Sequence, residues 1–216
     1  MSNSIQAPIE AVIFDLGGVI SRWVPEDALC SRYRPETIQQ FFRDCNFFAL
    51  NDDLDAGMSW QEAYERIAAS SDEGHRELYL QMMHWYHDHF AQTQAGDIPG
   101  AVQMVRDLQA AGVGVYALTN WNGDTFHYGL DAMPILQEFN GILVSGDCGI
   151  RKPDIRIYQL AIERFALTPE RSLFVDDKQV NAEGARAAGL QALEFTGMAA
   201  LRQQLITVGL PLPALQ

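Results

Sequence analysis

The stretch FDLGGV at positions 14–19 follows the apolar run AVI and closes it with one carboxylate and two glycines. Continuous apolar runs of this kind are typical of strands that are buried on both faces in a parallel sheet. Asp15 therefore stands at the carboxyl end of a predicted strand (11–15), where open parallel sheets bind their ligands. The glycines that follow, Gly17 and Gly18, allow positive φ angles and a close approach of the backbone to a ligand.

Four further apolar runs have the composition of buried strands. They cover residues 113–119, 141–144, 172–176 and 191–195. Patterns with apolar residues at helical spacing begin near Pro99, Asp154 and Asn181, between these runs. This alternation of strand and helix predicts an α/β fold with a doubly wound, Rossmann-like parallel sheet.

The segment between the first two predicted strands departs from this alternation. Residues 22–94 contain no convincing strand, but they contain helical patterns at 35–45, 59–70 and 72–90. Ser59 and Glu62 fit a capping box at the start of the second of these helices. We therefore predict an α/β core domain from 1–21 and 95–216, with a helical cap domain inserted at 22–94.

Composition and charge argue against several kinds of partner. A chain of 216 residues that is 48% hydrophobic and 20% charged is an ordinary globular protein of one or two domains. Its net charge of −13 argues against nucleic acid and anionic membranes, which attract clustered Lys and Arg. No apolar run approaches the roughly 20 residues of a membrane span. We expect neither a nucleic-acid nor a membrane partner.

The cysteines and the first residues bear on the compartment. Cys30, Cys45 and Cys148 are odd in number and widely spaced, which favours reduced thiols. The opening residues MSNSIQAP lack the basic and apolar regions of a signal peptide. Both features predict a cytoplasmic protein, and they leave open whether it is a monomer or a dimer.

Polar residues follow the predicted strands at the edge of the sheet where ligands bind. They are Asp15, Thr119, Asn120, Lys152, Asp176 and Asp177. Each alone is usual in a turn or cap. Together, three carboxylates would repel one another unless a hard cation lay among them, and Mg²⁺ prefers oxygen ligands. A hydroxyl, backbone N–H groups and a lysine are donors that a phosphate needs.

This set predicts phosphoryl transfer through an aspartyl-phosphate, with Mg²⁺ as cofactor and a small phosphorylated molecule as substrate. Four motifs then resemble those of the haloacid dehalogenase superfamily with a helical cap. They are FDLGGV (14–19), ALTN (117–120), RKPDIRIY (151–158) and FVDDKQVNAEGA (174–185). Among the subgroups, the chain most resembles bacterial sugar phosphatases that act on glucose 1-phosphate.

The resemblance implies a role for each motif residue. Asp15 would be the nucleophile, and Lys152 would neutralise charge between it and the phosphate. The implied metal ligands are the carboxylates of Asp15 and Asp177, supported by Asp176, and the backbone carbonyl of Gly17. The implied phosphate-binding residues are Thr119, Asn120, Lys152 and Gly18.

Gly17 is also a departure from the pattern of the superfamily. Most of its phosphatases carry a second Asp two residues after the nucleophile, as general acid and base, and this chain has Gly17 there. General acid–base catalysis is typically worth ~10²–10⁴ in rate. Either another group supplies the proton, or the leaving oxygen needs little help, as an anomeric oxygen or a phenol would.

Two other functions stay open at this point. Dehalogenases of the superfamily also use an Asp nucleophile and lack the second Asp, so a 2-haloacid dehalogenase is one alternative. They need no metal, and the pair Asp176–Asp177 argues against them. The other alternative is a weakly active phospholigand-binding protein.

Substrate selection is expected to come from the cap and the loops beside it. Trp23 and the pair Trp121–Asn122 are candidates to contact the substrate body, although packing in the core explains the tryptophans equally well. The acidic stretch 51–53 is expected in a loop between cap helices, either facing the cleft or solvated.

Two further features of the sequence could indicate a second metal site or a reactive thiol. His84 and His87 can share a helix face with Asp88, close to His89, but an exposed polar face with Trp85 and Tyr86 packed inward explains the pattern better than a second metal. Cys148, in the predicted loop before Lys152, is expected to be a small packed thiol.

Overall fold

The computed structural model describes residues 5–6 and 8–213. Its strands are β1 (Ala11–Phe14), β2 (Ser21–Trp23), β3 (Gln94–Asp97), β4 (Gly114–Thr119), β5 (Gly141–Val144), β6 (Ser172–Asp176) and β7 (Gln191–Glu194). Its α-helices are α1 (Asp27–Cys30), α2 (Pro35–Asp44), α3 (Phe47–Asp55), α4 (Trp60–Ser70), α5 (Arg76–Asp88), α6 (Ala101–Ala110), α7 (Phe126–Ala132), α8 (Ser145–Cys148), α9 (Ile155–Arg164), α10 (Gln179–Ala187) and α11 (Met198–Thr207). Short 3₁₀ segments lie at Phe90–Thr93, Gly123–Thr125, Pro134–Glu138 and Pro169–Arg171.

A five-stranded parallel sheet with the order β5-β4-β1-β6-β7 forms the core. Strand β1 lies in the middle and pairs with β4 on one side and β6 on the other. The predicted strands are confirmed to within one residue at each end, because their apolar runs are buried on both faces. The α/β class and the parallel sheet are likewise as predicted.

The two faces of the sheet pack into separate apolar clusters. Val12 and Phe14 of β1 face the larger cluster, which continues into the helices between β2 and β3. Ile13 faces the smaller cluster, together with Ile157 of α9 and Phe174 of β6. Alternate residues of one strand therefore anchor helices on opposite sides, and the strand ends stay fixed at the sheet edge.

The helical insert (residues 24–93) leaves the core through β2 and returns through β3. These two strands form an antiparallel ribbon in which Ser21 pairs with Asp97 and Trp23 with Gln94. The ribbon was not predicted, because each strand has only three or four residues and β3 carries Gly96 and Asp97. The insert carries α1 to α5.

The expectation of a loop at 51–53 is wrong, because these residues lie inside α3. Phe47, Leu50 and Leu54 of this helix are buried at helical spacing. The acidic residues occupy the turns between these apolar positions, and their charge concealed the pattern. Helix α11 was also not predicted.

The capping box of α4 is confirmed. The Ser59 hydroxyl accepts a hydrogen bond from the Glu62 N–H at 3.2 Å, and the Glu62 carboxylate accepts one from the Ser59 N–H at 2.9 Å. The helix predicted at 72–90 is shorter, since Asp72 accepts the His75 N–H in a turn and α5 begins at Arg76. Among the described residues, no helix combines the length and apolar character needed to cross a membrane.

Candidate active site

Asp15 lies directly beyond β1, and both its backbone and its carboxylate are held by neighbouring groups. Its N–H donates to the Val175 carbonyl at 2.8 Å, which extends the pairing of β1 with β6 by one bond. Its Oδ1 accepts the Leu16 N–H at 2.7 Å and lies 2.9 Å from the Lys152 ammonium. Asp15 is only 8% exposed, so the carboxyl has one fixed orientation at the end of the central strand.

Lys152 joins two of the predicted acids. Its Nζ donates to the Asp176 carboxylate at 2.7 Å and lies beside Asp15, and the side chain is fully buried. Although burial opposes the charge, Asp15 and Asp176 raise the pKa of Lys152 above its ordinary value. The site therefore contains a permanent cation beside Asp15.

Asp176 is saturated with hydrogen bonds. One oxygen accepts from the Lys178 N–H at 2.8 Å, and both oxygens accept from the Asn181 amide at 2.9 and 3.0 Å. Burial works against ionisation, but Lys152 and these donors hold the pKa of Asp176 below its ordinary value. Asp176 thus positions Lys152 and adds negative charge beside Asp15.

Asp15, Asp176 and Asp177 form an acidic trio, in which one oxygen of each lies within 4.8 Å of the others. Burial raises the pKa of Asp15 to about 7 against the opposing effect of Lys152, and the other two acids add to the rise. A cation beside the trio would lower this pKa and keep Asp15 ionised. Asp177 is the exposed member of the trio and lines the cavity. This donor set of carboxylate oxygens fits Mg²⁺.

The two glycines after Asp15 differ in backbone conformation and in the space around them. Gly18 has φ +81°, and a Cβ there would lie 2.7 Å from the Asp177 carboxylate. Gly17 is not among the residues with positive φ, and no described atom lies within 4 Å of the position of its Cβ. The expected need for positive φ and close approach therefore holds for Gly18 alone. A side chain at Gly17 would find open space.

Thr119 and Asn120 occupy the end of β4, beside β1. Thr119 is buried at 1% exposure and lines the same cavity as Asp15. The Asn120 side chain accepts the Lys152 N–H at 2.8 Å and donates to the Lys152 carbonyl at 3.0 Å. Asn120 thereby fixes the loop that carries Lys152, with one amide N–H and the amide oxygen engaged there.

A cavity of about 650 Å³ opens above Asp15, between the sheet edge and the insert. Most of the predicted site residues line it; Asp176, saturated beneath Lys152, does not. The walls above them carry aromatic side chains, namely Trp23, Phe48, Phe90 and Trp121. Phe48 is 54% exposed, whereas Trp121 is 6% exposed and packs edge-to-face on Phe126. Trp121 is thus largely a packing residue, and Phe48 is the aromatic side chain with free surface.

Polar contacts dock the end of α3 on the core. The Ser145 hydroxyl donates to the Asp55 carbonyl at 2.5 Å, and the Asn122 amide donates to the Leu54 carbonyl at 3.1 Å. Asp52 pairs with Arg151, the neighbour of Lys152, at 3.2 Å. These contacts close the insert over the cavity.

Several cavity residues were missed by sequence reasoning: Arg22, Phe48, Asp55, Lys178 and Asn181. Lys178 and Asn181 fall inside the quoted motif at 174–185, so their proximity to Asp176 was available from spacing alone. Asp55 could be found only from the docking of α3, which joins residues 90 positions apart.

The histidines of α5 pack against aromatic rings. His87 stacks on Trp60 with ring centroids 3.9 Å apart, and its Nδ1 shares a hydrogen bond with the Tyr64 hydroxyl at 2.8 Å. Among the described residues, one cluster of three or more potential metal ligands is found, and it is the acidic trio. His84, His87 and His89 do not form such a cluster. Cys148 lies in α8, not in a loop, and is half-buried.

Comparisons with known proteins agree with this architecture. The family profile described as haloacid dehalogenase-like hydrolase matches residues 9–189. A sesquiterpene phosphatase of Aspergillus oryzae is 29% identical over 193 residues, which cover 87% of this chain and 90% of that protein.

Two solved structures share the fold. A family enzyme from Bacteroides thetaiotaomicron, in complex with magnesium and inorganic phosphate, has a TM-score of 0.67 at 18% identity and covers 88% of this chain and 96% of its own. L-2-haloacid dehalogenase from Xanthobacter autotrophicus, with chloropropionic acid covalently bound, has a TM-score of 0.60 at 20% identity and covers 94% and 84%.

Proposed function

The chain belongs to the haloacid dehalogenase-like hydrolase family, and we propose that it is a Mg²⁺-dependent phosphomonoester hydrolase with an aspartyl-phosphate intermediate. The observation that carries this proposal is the acidic trio beside the buried Lys152. Three carboxylates at one strand edge are costly unless a divalent cation joins them. A haloacid dehalogenase needs no such cluster.

In the first step, an Asp15 carboxylate oxygen attacks phosphorus in line with the leaving oxygen. Lys152 and the Thr119 hydroxyl neutralise and orient the phosphoryl oxygens. Asp15, Asp177 and the Gly17 carbonyl would hold Mg²⁺, with Asp176 in support, and the ion would stabilise charge on the transferred phosphoryl group. Water then attacks phosphorus and releases Asp15 and inorganic phosphate.

We propose that residues 22–94 act as a cap domain on a core of 1–21 and 95–216. Because contacts from Ser145, Asn122 and Arg151 hold the end of α3 over the cavity, closure of the cap would exclude bulk water from the phosphoryl group. Opening would admit the substrate and release the alcohol.

The substrate is proposed to be a small phosphorylated metabolite. Resemblance to the sugar phosphatases favours a sugar phosphate. The exposed ring of Phe48, with Trp23 beside it at 6.4 Å between centroids, favours an alcohol with an apolar part. The phosphatase relative from Aspergillus oryzae, named for a sesquiterpene substrate, is in line with the second candidate.

The proposal is tested by turnover of p-nitrophenyl phosphate with Mg²⁺ and with EDTA. We expect turnover that requires the metal and is abolished in Asp15→Asn. Asp53→Asn is a matched control, because Asp53 pairs with Arg66 on the outer surface of the insert. Chloride release from 2-chloropropionate without phosphatase activity would favour a dehalogenase, and tight phosphate binding without turnover would favour a phospholigand-binding protein.

A further inference from the structure

Gly17 leaves a vacancy in the wall of the cavity. It lines the cavity two residues after Asp15, and a Cβ there would meet no described atom within 4 Å apart from its chain neighbours. The core strand therefore presents Asp15 to the phosphorus but offers no proton for the leaving oxygen. Gly17 shares this cavity with residues of the insert, among them Phe48 and Asp55.

Asp55 lines this cavity from the insert side. It is the last residue of α3, and its carbonyl accepts a hydrogen bond from Ser145, which directly follows β5. The preceding carbonyl, of Leu54, accepts from Asn122 beyond β4. Ser145 begins α8 after β5, and Asn122 follows β4, so both donors belong to the core and hold the end of α3 beside the cavity.

Each of the other carboxyls of the cavity belongs to an ion pair or to the acidic trio. Asp15 is paired with Lys152, and Asp177 belongs to the acidic trio. Asp52 is paired with Arg151 at 3.2 Å. The Asp55 carboxyl accepts a neutral hydrogen bond from the Asn51 amide at 3.1 Å and has no salt bridge among the described residues. Among these cavity carboxyls, Asp55 is thus the one that is neither paired with a cation nor part of the acidic trio.

The surroundings of Asp55 are consistent with a protonated carboxyl at neutral pH. Burial raises the pKa of Asp55 to about 7, and the charge of Asp52 adds to the rise. The opposing groups are Arg151, Lys178 and the backbone N–H of Asn122. Tyr86, buried beneath α3, remains neutral and adds no charge. A general acid works best with a pKa near the operating pH.

We propose that Asp55 is the catalytic acid and base that the core lacks at Gly17. The inference rests on the proposed phosphatase function. As Asp15 attacks phosphorus, the bond between phosphorus and the leaving oxygen breaks. The electron pair of that bond goes to the leaving oxygen. The Asp55 carboxyl then donates its proton there, directly or through one water. In the second step the Asp55 carboxylate takes a proton from the attacking water, which restores the acid.

The test compares leaving groups in Asp55→Asn. An alkoxide needs a proton to leave, whereas p-nitrophenolate does not, so a missing acid affects the two unequally. We expect kcat/KM for n-hexyl phosphate to fall by about 10²–10⁴, while that for p-nitrophenyl phosphate changes by less than about threefold. A structural role would lower both equally, and equal losses would overturn the inference.

A rescue variant makes the test specific. Gly17→Asp places a carboxyl in the open space beside the nucleophile, with no backbone strain. In the Asp55→Asn background we expect it to restore hexyl phosphate turnover by at least about tenfold, within the range of acid catalysis. If Gly17→Asp restores no turnover of hexyl phosphate, the inference that the core lacks an acid at Gly17 would be contradicted. Asp53→Asn serves as the control on the same helix.

The pH profile of the wild type tests the same inference without any variant that could fail to fold. The acid must be protonated to act, so the ratio of kcat/KM for hexyl phosphate to that for p-nitrophenyl phosphate should fall as pH rises through about 7. A ratio that is constant from pH 6 to 8 would overturn the role of Asp55. If the wild type hydrolyses neither ester with Mg²⁺, the proposed function itself fails.

Discussion

The two walls of the cavity are built from different interactions. The core wall consists of buried charges that hold one another: Lys152 bridges Asp15 and Asp176, and Asn181 holds Asp176 in place. The insert wall consists of aromatic rings and the end of α3, joined to the core by a few hydrogen bonds and a half-exposed ion pair.

This difference teaches how the chain separates two tasks. Each charge of the core wall would be costly if left unpaired, which holds this wall in one arrangement, and the proposed phosphoryl transfer would take place there. The insert wall is attached by weaker contacts, and in the proposed function it would open, select the alcohol and, through Asp55, deliver a proton only when closed. Substitutions on the two walls should therefore have effects of different size and kind.

The largest effect is expected on the core wall, from Lys152→Ala. The variant leaves Asp15 and Asp176 as neighbouring buried acids without their cation, which typically costs about 3–5 kcal/mol of unfolding free energy. We expect p-nitrophenyl phosphate turnover to be lost as well. Denaturant unfolding measures the first effect. Arg171→Ala removes a half-exposed pair with Glu10 as control and should cost at most about 1 kcal/mol.

An intermediate effect is expected where the core wall approaches the proposed metal site, from Gly18→Ala. A Cβ would meet the Asp177 carboxylate at 2.7 Å and would force φ +81° on a non-glycine residue, a strain of about 1–3 kcal/mol. The Mg²⁺ concentration for half-maximal activity should rise at least about tenfold, which corresponds to 1.4 kcal/mol. Gly17→Ala is the matched control and should leave both folding and metal dependence unchanged. Equal effects of the two variants would contradict the packing described at Gly18.

The smallest effect is expected on the insert wall, from Asp52→Asn. This change breaks the ion pair with Arg151. The side chain of Asp52 is 47% exposed and that of Arg151 is 34% exposed, and exposed ion pairs stabilise a protein by at most about 1 kcal/mol. We expect KM to rise by up to about fivefold with little change in kcat, because closure weakens while the core wall is untouched. Steady-state kinetics at low and high salt would check this, because salt screens the ion pair and should remove the difference in KM between the wild type and Asp52→Asn. A large loss of kcat would show that the two walls are not separable.

The same contrast explains which features could be predicted from the sequence. Asp15, Thr119 and Asp176 each follow a short apolar run, and the rule that parallel strands end at one edge brings them together without any knowledge of distant contacts. α3 was mistaken in part for a loop, because Asp52 and Asp53 interrupt its apolar residues. Asp55 was missed because its place depends on Ser145, which lies far along the chain.

The nature of the covalent intermediate on Asp15 tests the central claim most directly. We would quench a single turnover of p-nitrophenyl phosphate in H₂¹⁸O with Mg²⁺ and analyse the peptide that contains Asp15 by mass spectrometry. The account predicts a transient phosphoryl group on that peptide and ¹⁸O in the released phosphate, with none in Asp15, because water attacks phosphorus. A peptide that is never phosphorylated, although phosphate is released, would contradict the account.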